Sequence, residues 1–514
     1  MVENNYQRIS QDKFRFVQQN EKLHDKALKT KPIGYFKDAW IRFKKNKASV
    51  AAAIILALII LYAIIVPFIS IYSISDMDGK YAKARPELSI GNVAIFDGGK
   101  TMPLSDRYYV YFQGIGMAAE NKSGYGENSW EIADQSFYNP VLSIGDEYTA
   151  NGELRRDGNI STYLDKGFQY LSLTRQQLQK LVDWEKETGT QVIYPMVNTQ
   201  NEYCPDDSDA NYWYKANAKG SPLDENGQVM TLEQVKQNGL VDNFLRNADG
   251  EIQYLRMKDR NTIEVRVLYY NYYQYFNGHE PTFLFGADGG GYDIATRMAY
   301  GLRTSFVLSF GVAIVCFVFG TIVGAIEGYY GGWIDLIIER ITDILWRMPL
   351  YIIVTIFQMH LVNTGKASVL GGLLLAFCVT GWIGTASLVR TQFYRFKNQE
   401  YILAARTLGA KDPRLMFRHI LPNAIGTIIT NSVFIIPGII MSESTFSYLG
   451  IVNFNSRTNV SLGTMMADGQ QYLQEFPHIL LIPAAIIAFM MIAFNLFGEG
   501  LRDAFNPSLR GADD

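Results

Sequence analysis

The sequence predicts an all-α polytopic membrane domain of six transmembrane helices, with an extracytoplasmic α+β domain inserted between the first helix and the second. Three features carry that prediction. Charge-free apolar runs recur at membrane-spanning length, residues 71–282 are instead dense in charge and turn dipeptides, and Lys and Arg gather on segments that would share one side of a bilayer. At 514 residues the chain also exceeds the roughly 250–300 residues at which a single hydrophobic core stops growing, so more than one folding unit is expected. Its apolar fraction of 48% and mean hydropathy of −0.02 look ordinary because a membrane part and a soluble part are averaged.

The N-terminal segment, residues 1–47, holds twelve Lys/Arg against five Asp/Glu. Residues 48–70 carry no charge and, at about 1.5 Å per helical residue, are long enough to cross a hydrocarbon core of about 30 Å. A cleaved signal peptide is the competing reading; the basic region is longer than such leaders have, and no small-x-small cleavage pattern precedes Ile71. Arg42, Lys44, Lys45 and Lys47 abut the run, which puts the N-terminus in the cytoplasm by the positive-inside rule and residues 71–282 outside.

That outer block is acidic, with twenty Lys/Arg against thirty Asp/Glu over residues 71–280. The dipeptides Asp78-Gly79, Asp97-Gly98, Asp157-Gly158, Asn226-Gly227 and Asp249-Gly250 supply the positive φ of tight turns, so short strands should flank several of them. Capping boxes at Thr174-x-x-Gln177, ahead of Leu178, Leu181 and Val182, and at Thr231-x-x-Gln234, ahead of Val235, predict two helices. Tyr269, Tyr270, Tyr272, Tyr273 and Tyr275 precede the return to the membrane and suit a polar–apolar boundary.

Further apolar runs lie near residues 303–328, 345–363, 368–390, 424–446 and 477–499. Residues 390–418 carry seven Lys/Arg and only Glu400 and Asp412 as acids, and the loop 448–476 carries one base, Arg457; six crossings from a cytoplasmic N-terminus put the first inside and the second outside. Asp335, Glu339 and Asp343 recur every four residues near Arg340 and Arg347, ahead of Pro349. They read as a cytoplasmic extension of the third helix, with a proton relay as the sharper alternative. Asn431 and Glu443 fall within or at the end of the fifth helix, where they line a substrate path or pack helix against helix.

Several chemistries find no support. Cys204, Cys316 and Cys378 are too few and scattered for a disulfide framework, and Cys204 reads as a free thiol. His24, His279, His360, His419 and His478 are dispersed, without a zinc-like cluster. Asp206, Asp207 and Asp209, and the calcium-loop fragment Asp288-x-Gly290-x-x-Asp293, offer too few oxygen ligands and read as solvated turns. No phosphate-binding GxxxxGK[ST] loop and no nucleophile motif is present.

Residues 398–423 are the most informative. Glu400 to Ala410 reads as a short cytoplasmic helix in which Ala404 and Ala405 allow close approach and Gly409 ends the helix in a left-handed conformation; Pro422 stops a second helical stretch. The residues alone leave two readings open, a helix that docks in a partner's groove or a basic loop on the membrane surface. The segment resembles the EAA loop of ATP-binding-cassette (ABC) importer permeases, in the version of the second permease subunit of the dipeptide/oligopeptide subfamily.

The resemblance extends over residues 283–510. It takes in Gly286-Ala287-Asp288 with Asp293, Arg297, Tyr300-Gly301 and Arg303, then Gly328 to Trp333, Asp343-Ile344, and Ser447-Tyr448-Leu449-Gly450. Met466 to Gly469, Phe494 to Gly498, and Leu501-Arg502-Asp503 to Pro507 complete it. Arg42-Phe43 to Asn46-Lys47 fits as well, whereas Tyr292, Leu462 and Arg347 depart from the family's pattern and nothing in the resemblance covers 71–282.

The resemblance implies a type I permease core at 283–510, a cytoplasmic tail at 511–514 and a bacterial plasma-membrane location with both termini inside. It implies a coupling helix in which Glu400, Ala404, Ala405, Arg406, Leu408, Gly409 and Ala410 seat in an ATPase. Import would be of oligopeptides or dipeptides, or, in some branches, of nickel or another small solute. The implied partners are a second homologous permease, two cytoplasmic ABC ATPases that use ATP and Mg, an extracytoplasmic peptide-binding (lipo)protein and the lipid bilayer. The chain itself would hold no cofactor, hydrolyse no ATP and bind no nucleic acid. A membrane-anchored receptor or cell-wall protein is the rival of another class, but it needs only one anchor and leaves the Glu400 segment idle.

Overall fold

Asparagine at position 46 breaks the chain between two helices: α1 (Tyr35–Lys45) ends at it, and its side chain accepts from the Ser49 N–H to cap α2 (Lys47–Ile69). The computed structural model describes residues 34–90, 93–125, 128–150, 152–454 and 458–505. Most of the predicted basic segment, His24, Arg457, Pro507 and the tail 511–514 lie outside them. The remaining helices of the membrane part are α8 (Ile294–Tyr330), α9 (Gly332–Trp346), α10 (Leu350–Phe357), α11 (Val369–Thr380), α12 (Trp382–Phe396), α13 (Glu400–Thr407), α14 (Asp412–Arg414), α15 (Leu421–Val433), α16 (Ile435–Tyr448), α17 (Leu462–Gln470) and α18 (His478–Phe505).

Among the described residues, five helices are long and apolar enough to cross a membrane: α2, α8, α11 with α12, α14 through α16, and α18. The run predicted at 345–363 differs. There α9 and the α10 segment to Val362 meet at 78°, so the carboxylate-bearing stretch is a helix bent away from α10 where a straight extension is expected. Pro349 explains the break: it lacks an N–H to donate and disfavours helical geometry at Met348. Pro422 also differs from expectation. It sits in the first turn of α15, where its missing N–H costs little, and a π turn (Leu415–Ile420) carries the helix through to Tyr448.

Helix α8 is the axis of the bundle and packs against α2, α11, α12, α16 and α17. Gly320, Gly324 and Gly328 recur every four residues and so share a face, which meets α12 at backbone distance: a Cβ on Gly324 would lie 2.2 Å from the Ala386 carbonyl oxygen. One apolar cluster joins α2, α8, α16, α17 and α18 through Leu56, Met298, Leu302, Ile440 and Met490, and another joins α8 to α10 and α11 through Leu308, Val354 and Leu373.

Between α2 and α8 lies an α+β insert built on three antiparallel sheets. The first pairs β1 (Glu87–Ile90) with β2 (Val93–Asp97); the second has β5 (Glu153–Ser161) between β3 (Gly99–Ser105) and β4 (Val141–Ala150). In the third, β9 (Thr262–Leu268) pairs with β6 (Phe168–Thr174), β7 (Ile193–Tyr194) and β8 (Leu255–Met257). Helices α3 (Asp106–Glu120), α4 (Trp130–Gln135), α5 (Arg175–Thr188), α6 (Leu232–Asn238) and α7 (Tyr269–Asn277) complete it. Trp213, Ile115, Met117 and Phe168 are fully enclosed in its main core.

Both predicted capping boxes form, at Thr174 and Thr231. Gly98, Gly227 and Gly250 take positive φ in turns, but Asp157-Gly158 lies inside β5. Glycine is needed at 158 because a Cβ would meet Leu104 Cδ1 at 2.3 Å.

The insert is pinned to the bundle at its base. Lys100 pairs with Glu475 at 3.1 Å, Arg85 donates to the Glu475 carbonyl at 3.0 Å, and a His478 ring nitrogen lies 3.1 Å from the Ala84 carbonyl.

Candidate coupling and translocation site

The basic stretch after α12 folds into the predicted helix and turn. Glu400 occupies the first turn of α13, where a carboxylate favours the helix N-terminus, and its side chain is exposed. Ile402 points the other way, fully buried among Val389, Phe393, Leu415 and Ile420, and so fixes the helix to α12 and the π turn. Ala405 and Ala410 pack partly on the same cluster, whereas Ala404 is exposed. Gly409 has φ +82° with nothing within 4 Å of a Cβ position, and beside it Leu408 is 88% exposed. The outcome is a rigid knob with an apolar tip on one side and a buried anchor on the other.

Tyr329, at the end of α8, fixes that knob through one hydroxyl. It donates to Asp412 Oδ1 at 2.6 Å and accepts from Arg406 Nη2 at 3.2 Å. Tyr329 thereby ties the knob to the bundle's axial helix. Its position in the Gly328 to Trp333 block gave no hint of this partnership, because the contact spans elements far apart in sequence.

Behind the knob, Arg390 of α12 gathers carboxylates from two helices. It donates to Asp335 Oδ2 at 2.9 Å and Glu339 Oε1 at 3.3 Å, with Glu327 Oε1 at 3.5 Å; Tyr394 donates to Asp335 as well. The periodicity of Asp335 and Glu339 is thus a face turned to Arg390, and Asp343 pairs with Arg340 at 3.2 Å.

The two candidate path residues part company. Asn431 is exposed and lines a cavity of about 800 Å³ with Gln392, Arg395, Asn423, Glu499 and Arg502. Glu443 is 0% exposed. Its carboxylate accepts from Ser305 at 2.9 Å and Ser447 at 3.0 Å, which joins α16 to α8 inside the packed bundle.

Asp288 and Asp293, expected in a solvated turn, are buried at 8% and 6% exposure. Asp288 accepts from the N–H groups of Gly290 and Tyr292 and pairs with Arg297 at 2.9 Å, while Asp293 caps α8 by accepting from Thr296. Burial pushes the Asp293 carboxyl up. The departures from the family pattern are accommodated: Tyr292 stacks under the Arg297 guanidinium at 4.3 Å, and Leu462 is fully buried against Gly301. In the insert, Asp206 and Asp209 do sit in turns, accepting from Ser208 and Asn211, and Cys204 is a free thiol.

Two family matches bracket the insert. The "binding-protein-dependent transport system inner membrane component" matches residues 298–511, and the "N-terminal TM domain of oligopeptide transport permease C" matches residues 34–86. The chain is 41% identical over 226 residues to the oligopeptide transport system permease protein OppC of Bacillus subtilis, covering 44% of this chain and 72% of that protein. It is 40% identical over 227 residues to the dipeptide transport system permease protein DppC of the same organism, covering 44% and 69%. The DppC of Haemophilus influenzae is 34% identical over 236 residues, covering 46% and 78%.

Proposed function

The chain belongs to the binding-protein-dependent transport system inner membrane component family, and from that premise we propose that it is the permease subunit of an ABC importer for oligopeptides or dipeptides. It provides the path and a separate ATPase provides the power. The observation that carries this reading is the α13 knob, with exposed Leu408 beside Gly409 and its rear face tied to α8 through Tyr329. A bundle without a nucleotide site responds to ATP only through a contact that differs between two states, and a rigid knob is such a contact.

In this reading the bent pair α9–α10 counts as one crossing, giving six, with both termini and the knob in the cytoplasm and the insert outside. A second homologous permease faces the Asn431 cavity and completes the path, while Glu443 holds α8 to α16 beside it. Two ATPases with ATP and Mg seat the knobs, and an extracytoplasmic peptide-binding protein delivers substrate. The insert caps the pore or docks that protein, a role supported by its rigid attachment at Glu475 and Ala84. Affinity purification of the full chain from its native membrane tests the assembly: a second permease and an ATPase should co-purify in stoichiometric amounts, and a chain that purifies with neither contradicts it.

A further inference from the structure

Where both ends of the insert rejoin the bundle, a cavity of about 440 Å³ opens between the segment after α2, helix α7 and the turn before α8. Its walls include Tyr72, Asp76, Asp78, Tyr269, Tyr272 and Tyr273. Neither carboxylate has a Lys, Arg or His partner within salt-bridge distance among the described residues. Asp76 accepts from the Ser73 N–H at 2.7 Å; Asp78 accepts from the Lys80 N–H at 2.9 Å and from the Tyr269 hydroxyl at 2.8 Å. The Lys80 ammonium is engaged elsewhere, donating to Gln169 at 2.7 Å.

Among the described residues no Lys or Arg stands over the rings of the cavity; the His279 ring packs edge-on against Tyr72 and Tyr273 at 4.9 and 5.7 Å. Nearby, Lys83 and Lys100 stand over Tyr472 and Phe476 at 4.4 and 4.6 Å, so the chain's own cations are spent on the adjoining rim. Tyr81, fully enclosed behind the wall at 5.6 Å from the Tyr269 ring and 5.2 Å from Tyr273, keeps a hydroxyl with no hydrogen-bond partner. Electron-rich ring faces beside unneutralised carboxylates form the environment in which an organic cation is held by cation–π attraction and charge together.

We propose that this cavity binds a primary ammonium group, and that the group is the protonated amino end of a peptide on its way to the path. The ammonium chemistry stands on the cavity alone; the peptide as its bearer rests on the function proposed above. The headgroup of an ethanolamine lipid carries the same group, and tyrosine-rich walls at a membrane boundary suit it too.

The test uses the full-length chain in phosphatidylglycerol nanodiscs, titrated calorimetrically with trialanine and with N-acetyl-trialanine. Saturable binding of trialanine is expected, at least tenfold weaker for the acetylated peptide and for Asp76→Asn/Asp78→Asn. Equal binding of the acetylated peptide, which requires no change to the protein, overturns the proposal, as does equal binding by a variant that melts like the parent. Repeating the titration with phosphatidylethanolamine in the discs separates the sources: unchanged affinity supports the peptide, and competition assigns the ammonium to lipid and overturns the peptide. Ammonium binding that persists in a chain unable to import peptides leaves the site intact and refutes the function instead.

Discussion

Replacing Gly324 by alanine adds one methyl group where two helix backbones of the bundle touch. That Cβ would sit 2.2 Å from the carbonyl oxygen of Ala386 and 2.9 Å from its Cα, and neither atom can rotate away as a side chain would. Helices α8 and α12 must separate along the Gly320–Gly328 face. Overpacking of this kind costs about 1–3 kcal/mol, with a backbone contact at the upper end, and the better helix propensity of alanine returns up to about 1 kcal/mol. A net loss of about 2 kcal/mol should lower the melting temperature by about 4–8 °C, read as the surviving monodisperse fraction after heating in detergent. Gly384 is the internal control: it lies on α12 with nothing within 4 Å of its Cβ position, so Gly384→Ala should melt at or above the parent. A Gly324→Ala protein that melts with the parent refutes the argument that backbone contact sets this crossing.

Three further outcomes follow from other contacts. Arg297→Met strands the buried Asp288 carboxylate and should cost about 3–5 kcal/mol by thermal melting, much of it restored by adding Asp288→Asn. Tyr329→Phe removes the hydroxyl shared by Arg406 and Asp412; melting should hardly change, while limited proteolysis near Leu408 speeds up and transport per ATP falls. Burial, with Glu280 and Asp97 nearby, raises the Glu87 carboxyl from 4.5 to about 7. Stability from its neutral form is therefore complete below the unfolded value of 4.5 and lost progressively as pH rises to about 7, so Glu87→Gln should raise the melting temperature at pH 8 and leave it nearly unchanged at pH 4.

The apolar runs made the bundle legible because a membrane helix declares itself by length and lack of charge, and the capping boxes at Thr174 and Thr231 marked helix starts through purely local bonds. Local signals failed where a distant element decided the outcome. Asp157-Gly158 has the composition of a turn, yet Gly158 is in β5, paired with Met102 of β3 and Ile144 of β4, and Leu104 occupies the space a side chain would need. Asp335 and Glu339 showed their periodicity, but Arg390, which explains it, lies on another helix. Glu443 left a path residue and a packing residue equally open, because the serines that enclose it come from α8, from its own helix and from the N-cap of α17. The glycine spacing at 320, 324 and 328 was readable as a close-packing face and is the signal that locates the α8–α12 crossing.

If the knob at α13 is the contact with the ATPase, Gly409→Asp should break it. The Cβ that the substitution adds would lie more than 4 Å from the neighbouring described atoms, the strain falls on a left-handed turn, and the charge sits beside Leu408 where the ATPase would close. Uptake of a labelled oligopeptide into proteoliposomes holding the purified assembly, with and without ATP, is the measurement. ATP-dependent uptake is expected of the parent and lost in Gly409→Asp, with membrane insertion and melting intact; undiminished ATP-dependent uptake by the variant would show that the knob does not seat in the ATPase.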